Sequence, residues 1–166
     1  MKIALALIFA VTFIPCVGFA EDPAQPKNEL DLLGGIADIR RPNTLAFGAI
    51  EARFAGNWYG LHPYAQVGFE SGGSAYGSGG ILYNLLLPGR LHDVRLTLGT
   101  GPGLYLHNGA STDLGNTVEF YSWVELSTTI FSRRVGVSIS HLSNAHLSDH
   151  NPGIDGINVS VVVLTW

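Results

Sequence analysis

Apolar and polar residues alternate along this chain in runs of about ten residues, and each run ends in turn-forming residues, the pattern of strands with one face toward lipid. The alternation is clearest between 94 and 131. Val118, Phe120, Val124, Leu126 and Ile130 share one strand face, and Glu119, Tyr121, Trp123, Glu125 and Ser127 share the other. Just upstream, Val94, Leu96, Leu98, Leu104 and Leu106 align opposite Arg95, Thr97, Gly99, Gly101 and Gly103, whose small size suits a crowded barrel interior. The same reading predicts eight strands: Leu30–Ile39, Thr44–Phe54, Leu61–Ser71, Ala75–Leu87, Val94–Leu106, Thr117–Phe131, Val135–Ser143 and Gly156–Trp166. Arg41-Pro42-Asn43, Gly56-Asn57, Ser71-Gly72-Gly73, Pro88-Gly89, Asn108-Gly109 and Asn151-Pro152-Gly153 supply the breaks. An even strand count lets an antiparallel sheet close without an edge. The predicted fold class is therefore all-β, a single eight-stranded antiparallel transmembrane barrel of the bacterial outer membrane.

The last strand fits this pattern imperfectly. Ile157, Val159, Val161 and Val163 lie on one face, while Val162, Leu164 and Trp166 lie on the other. A β-bulge or burial on both faces accounts for it, and sequence does not choose between them. The aromatic end at Trp166 resembles the C-terminal sorting signal of outer-membrane proteins. At the other end, a basic start at Lys2, an apolar run from Ile3 to Ile14 and small residues at Gly18 and Ala20 predict a cleavable signal peptide over 1–20. The run is shorter than the roughly 20 residues of a spanning helix. Residues 21–28, with Pro23 and Pro26, are expected to form a flexible lead-in to a single domain over 21–166.

Composition agrees with strands rather than solvated helices: 21 glycines accompany a charged fraction of only 13%. The one cysteine, Cys16, leaves with the signal, so neither a disulfide nor a thiol nucleophile is expected. Loss of Lys2 takes the basic count from 9 to 8 against 13 acids, a net charge near −5 that disfavours nucleic acid as a partner.

One segment does not read as scaffold. Val135, Val137 and Ile139 form the apolar face of the seventh strand, and His141 and Ser143 continue it. Their i, i+2 spacing sets imidazole and hydroxyl on one strand surface. A hydroxyl is a poor nucleophile until a neighbouring base takes its proton, which is what such a pair supplies. Asp155 shares parity with Ile157 and Val159 and should emerge on the same outer face, where a carboxylate would orient the imidazole. Polar side chains are expensive on a lipid-facing wall and are kept there for function.

The run His141-Leu142-Ser143-Asn144-Ala145, with Asn151-Pro152-Gly153 and an acid twelve residues after the serine, resembles the active-site signature of the lipid A 3-O-deacylase family of small outer-membrane barrels. The resemblance is strong over Ser140 to Asp155. It implies Ser143 as nucleophile, His141 as general base and then acid, and Asp155 as the orienting carboxylate. It further implies an oxyanion hole from Asn144 and Asn151 with backbone N–H groups near Ala145. The implied reaction is hydrolysis of the 3-O-linked 3-hydroxyacyl ester of lipid A in lipopolysaccharide, with the outer membrane's lipids as surroundings. The chain departs from the family at Asp155, where Glu is usual, and Asp149 is a second candidate for that role.

The remaining polar residues read more plainly. Glu51, Arg53, Arg95, Glu119 and Glu125 are expected to form an ion-pair network inside the barrel, since buried charges need partners. His62, His92 and His107 lack ligand spacing, and His146 and His150 read as surface loop, so no metal or cofactor is expected. Gly99-Thr100-Gly101-Pro102-Gly103 lacks the lysine and helix of a phosphate loop. A non-enzymatic structural or adhesive barrel and a periplasmic ligand-binding barrel are the competing readings. Whether the barrel pairs as a homodimer is left open.

Overall fold

A computed structural model describes residues 27–166 apart from 43, 57 and 89–92. The expected signal peptide, His92 and nearly all of the lead-in lie outside the described residues. Eight strands follow one another: β1 Glu29–Ala37, β2 Leu45–Arg53, β3 Leu61–Glu70, β4 Ala75–Leu86, β5 Arg95–Leu106, β6 Val118–Ile130, β7 Arg133–Ser143 and β8 Ile154–Thr165. Each pairs antiparallel with the next, and β1 closes on β8. Asn28, counted above with the lead-in, extends this closure: its N–H donates to the Trp166 carbonyl and its carbonyl accepts from the Trp166 N–H.

One barrel end holds Asn28, Trp166, the links from β2 to β3 and from β4 to β5, and the two-residue turn Phe131–Ser132. The opposite end holds 38–44, 71–74, 107–117 and 144–153. Phe131 and Ser132 both have positive φ, 49° and 62°, the type I′ geometry whose twist matches the flanking strands. That turn is tighter than the sequence suggests, so β7 starts at Arg133 rather than Val135. The parity clash in β8 resolves as a bulge. Leu30 pairs with Leu164 and Asp31 with Val162, leaving Val163 without a partner on β1. Val162 therefore points inward while Leu164 and Trp166 are exposed on the outside, and Arg133 Nη1 donates to the Val163 carbonyl at 2.6 Å.

The barrel is polar within and apolar without. Leu32, Ile50, Val67, Phe69, Leu98, Leu104, Leu126, Val137, Ile139 and Val159 are all exposed on its outer wall, a patch far larger than water-facing surfaces carry. The interior is filled in layers. Aromatic rings pack edge to face and tilted, Tyr64 on Trp123 with centroids 4.5 Å apart and Tyr121 on Trp123 at 5.4 Å. The inward glycines make this packing fit, since a side chain at Gly99 would strike the Trp123 indole and one at Gly68 the Tyr76 ring.

Nearer the termini lies an ionic layer. Arg53, fully buried, donates from Nε to Glu51 at 2.6 Å and from both Nη atoms to Glu125 at 3.0 and 2.9 Å, with Asp31 at 3.2 Å. Arg95 forms a separate bidentate pair with Glu29, at 3.2 and 2.9 Å. The expected network thus exists with two corrections. Asp31 and Glu29 join it, and Glu119 does not, because it lies toward the other barrel end with neither carboxylate oxygen hydrogen-bonded among the described residues.

Arg53→Met removes the shared cation from three buried carboxylates and is expected to destabilise the barrel by about 3–5 kcal/mol. Urea unfolding of refolded protein, followed by tryptophan fluorescence, measures this, and a change near zero would mean the ionic layer holds nothing together.

Candidate active site

The site is set by strand register. In β7 the buried, inward Leu142 alternates with His141 and Ser143, which continue the outward row of Val135, Val137 and Ile139. On β8, Asp155 heads the outward row of Ile157 and Val159. His141 and Asp155 are direct cross-strand partners, and His141 Nδ1 meets Asp155 Oδ1 at 2.7 Å. An ionised carboxylate can only accept, so Nδ1 carries the proton and Nε2 presents its lone pair.

The lone pair's direction follows from Gly153. A methyl group built there would lie 2.9 Å from His141 Cε1 and 3.6 Å from Nε2, so this edge of the ring leans over Gly153. Continuing the Leu142–Ile154 pairing by one step puts Gly153 opposite Ser143. Ser143 stands about 6.7 Å of strand rise beyond His141. No hydrogen bond joins the two among the described residues, and contacts of this kind commonly tighten only when substrate is bound. Gly153 is the right residue beneath the ring twice over, because its φ of +64° also disfavours any side chain.

A second outward hydroxyl, Ser122 on β6, is His141's other cross-strand partner. It is bonded to Thr100 on β5 at 2.9 Å. Thr100, Ser122, His141 and Asp155 therefore form one polar row across four strands. Directly beneath runs the aliphatic row Leu98, Val124, Ile139, Ile157 and Ile36. On β5 and β6 the outward apolar positions resume beyond it, at Phe120, Leu104 and Val118, so the polar row interrupts the apolar wall.

Above the row, the 144–153 loop is folded around Asn144, which is fully buried. Its Nδ2 donates to the Leu114 carbonyl at 2.8 Å, Ser148 Oγ at 2.8 Å and the His150 carbonyl at 2.9 Å, while its Oδ1 accepts from His146 N–H at 2.9 Å. Asn144 is thus turned into the loop rather than toward His141, with its amide fully engaged. Its own N–H donates to Asn151 Oδ1 at 3.2 Å, which fixes the Asn151 amide so that its NH2 points away from that bond. Ala145 is exposed, and with His146 it turns the chain through positive φ, 50° and 65°. Asp149 is exposed and makes no contact with His141 among the described residues, leaving Asp155 as the acid beside the imidazole.

The 38–44 connection supplies groups that the sequence reading did not single out. Asp38, buried at positive φ, receives Arg41 Nη1 at 2.6 and 2.7 Å and Thr112 Oγ1 at 2.5 Å. Arg41 Nη2 reaches the Gly153 carbonyl at 3.3 Å. Arg40 pairs through Nε with Asp155 Oδ2, the oxygen that His141 leaves free. Arg41 entered the sequence reading only as part of a turn, and Arg40 not at all.

The family described as lipid A 3-O-deacylase (PagL) matches the chain over residues 38–163, from the buried Asp38 through the bulge of β8. The chain belongs to the lipid A 3-O-deacylase family. Its members are ester hydrolases, and the site described here falls inside the matched span. Among solved structures the chain is similar to the outer membrane enzyme PagL, with 16% identity and a TM-score of 0.62 over 80% of this chain and 97% of that one. It is also similar to the Yersinia pestis outer membrane protein Ail, at 11% identity and a TM-score of 0.47 over 84% and 99% of the two chains. Neisserial surface protein A gives 12% identity and a TM-score of 0.49 over 82% and 96%. The PagL likeness supports the closed eight-stranded barrel. No curated protein matches the chain.

Asn144→Ala strips the loop of its central amide and is expected to leave the barrel folded while exposing residues 144–153 to proteolysis. Limited digestion of the refolded protein, beside its heat-modifiable migration on gels, reads both, and a loop as resistant as wild type would remove Asn144 from this role.

Proposed function

We propose that this family member hydrolyses the 3-O-linked 3-hydroxyacyl ester of lipid A from the outer surface of its barrel, in the outer membrane, after export by a cleaved signal peptide. The observation that carries the reading is the His141–Asp155 pair at 2.7 Å on the outward wall, at the boundary between polar and aliphatic rows. Longer loops mark the outer side of such barrels and short turns the periplasmic side. The site's end, with 107–117 and 144–153, is therefore the outer one, where lipid A resides. A substrate already in the leaflet reaches this wall by lateral diffusion and needs no tunnel.

Ser143 is the nucleophile in this reading, His141 the base and Asp155 the orienting carboxylate. Ser143 Oγ attacks the ester carbonyl and gives its proton to His141 Nε2. The tetrahedral intermediate collapses, and the sugar oxygen leaves with that proton. Water, deprotonated by the same nitrogen, then attacks the acyl-serine and releases the 3-hydroxy fatty acid, restoring Ser143. Ser143 is favoured over Ser122 because the ring edge bearing Nε2 leans toward Gly153 and because Ser122 is engaged with Thr100. The free NH2 of Asn151 and backbone N–H groups near Ala145 are the donors for the oxyanion, each contributing about 3 kcal/mol to its stabilisation. Asn144 supports them through the loop.

Ser143→Ala is expected to keep the fold and lower 3-hydroxy fatty acid release from lipopolysaccharide by at least about 10³-fold. Mass spectrometry of lipid A before and after exposure to the protein detects the loss of one hydroxyacyl group. Release that survives the substitution would exclude Ser143, and a wild-type protein that leaves lipid A unchanged would exclude the reaction.

A further inference from the structure

The carboxylate that holds His141 is itself held. Asp155 faces His141 with Oδ1 and Arg40 with Oδ2, so its two oxygens are divided between two strands' worth of partners. The arginine approaches from the 38–44 connection on the β8 side opposite β7. Its backbone is already pinned there. Ile39 N–H donates to the Asp155 carbonyl at 3.2 Å, and Arg41 ties the same turn to Asp38, to Thr112 Oγ1 at 2.7 Å and to the Gly153 carbonyl. Arg40 therefore meets Asp155 from a backbone already held in place, so only its side chain has to be ordered to make the pair.

We propose that Arg40 is a positioning residue for the Asp155–His141 pair, fixing the plane of the carboxylate from its second oxygen while touching no reacting atom. An aspartate accepting on one oxygen only can rotate about its Cβ–Cγ bond, and each rotation changes where the imidazole is steered. With both oxygens engaged, one orientation remains. The Cε1–Nε2 edge of His141 then stays over Gly153, which gives a single placement to the nitrogen that takes the proton in the proposed reaction. The exposed side chain of Arg40 adds little to barrel stability in this account. Its contribution is to turnover.

The inference rests on the esterase reading of the site, and its test separates the two. Full-length protein refolded in detergent is compared as wild type, Arg40→Gln and Arg40→Lys. Release of 3-hydroxy fatty acid from lipopolysaccharide micelles gives kcat and KM, and proton NMR follows the His141 Nδ1–H resonance, assigned by its loss in Asp155→Asn. Arg40→Gln is expected to lower kcat about tenfold with KM within about twofold. Arg40→Lys should recover part of the loss, and the Nδ1–H resonance should shift or broaden in Arg40→Gln while unfolding is unchanged. A raised KM with kcat intact would make Arg40 a contact for the substrate headgroup and overturn the proposal, as would kinetics unchanged in both constants. If wild type releases no fatty acid, the esterase reading fails by itself. The resonance then decides alone: displaced in Arg40→Gln it upholds the positioning role, unmoved it ends it.

Discussion

The pairing register of β7 with β8 is the constraint on which the rest of this structure depends. Side chains alternate with a period of two, so a slip of one residue would turn His141 and Ser143 into the barrel and Leu142 into the lipid. With His141 opposite Asp155 and Leu142 opposite Ile154, the imidazole and carboxylate share the outer wall while both apolar neighbours pack inward. Arg40 and Arg41 touch the site from the 38–44 connection, but they do not set its placement. It is held by backbone ladders, and the loops only refine it.

Register is defended from inside the barrel. Trp123 occupies the space that Gly99 vacates on the neighbouring strand, and Gly68 does the same for Tyr76, so each ring has one place to go. The ionic layer adds a different kind of specificity. Arg53 on β2 bridges to Glu125 on β6, across the lumen, with geometry that a shifted strand would not reproduce. Ser160 on β8 donates to the same Glu125 at 2.8 Å, which ties the strand bearing Asp155 to this layer. Interior polar contacts thus fix the placement of an exterior site.

Much of the fold was legible in sequence because lipid on one side and a crowded lumen on the other impose strict alternation, and all eight strands follow from it. The misplaced boundaries have specific causes. Phe131-Ser132 carries none of the Asn or Gly signals of a type I′ turn, so nothing local marks the β6–β7 hairpin. The bulge at Val163 left a trace as broken parity, yet only the pairing with β1 says which residue is extra. In the site, the shared outward direction of His141, Ser143 and Asp155 was legible, since parity alone sets it. The inward turn of Asn144 was not, because Ala145 and His146 leave the strand through positive φ. Arg40 was illegible for another reason: its partner lies at the far end of the chain and becomes adjacent only when β1 closes on β8.

The surroundings of the polar row suit an open surface to the proposed reaction. One position lower, at Ile139 and Ile157, an imidazolium would face hydrocarbon and be strongly penalised, and beyond the row the outward face of β5 and β6 is apolar again at Leu104 and Phe120. At the row of Thr100, Ser122, His141 and Asp155, an ester carbonyl would meet polar groups of the protein on one side and lipid on the other. On the proposed reading, the membrane itself supplies the dry wall that a soluble enzyme must build from its own chain. In the proposed reaction the ester between sugar and acyl chain would lie against the polar row, and the acyl chain against the aliphatic row beneath it.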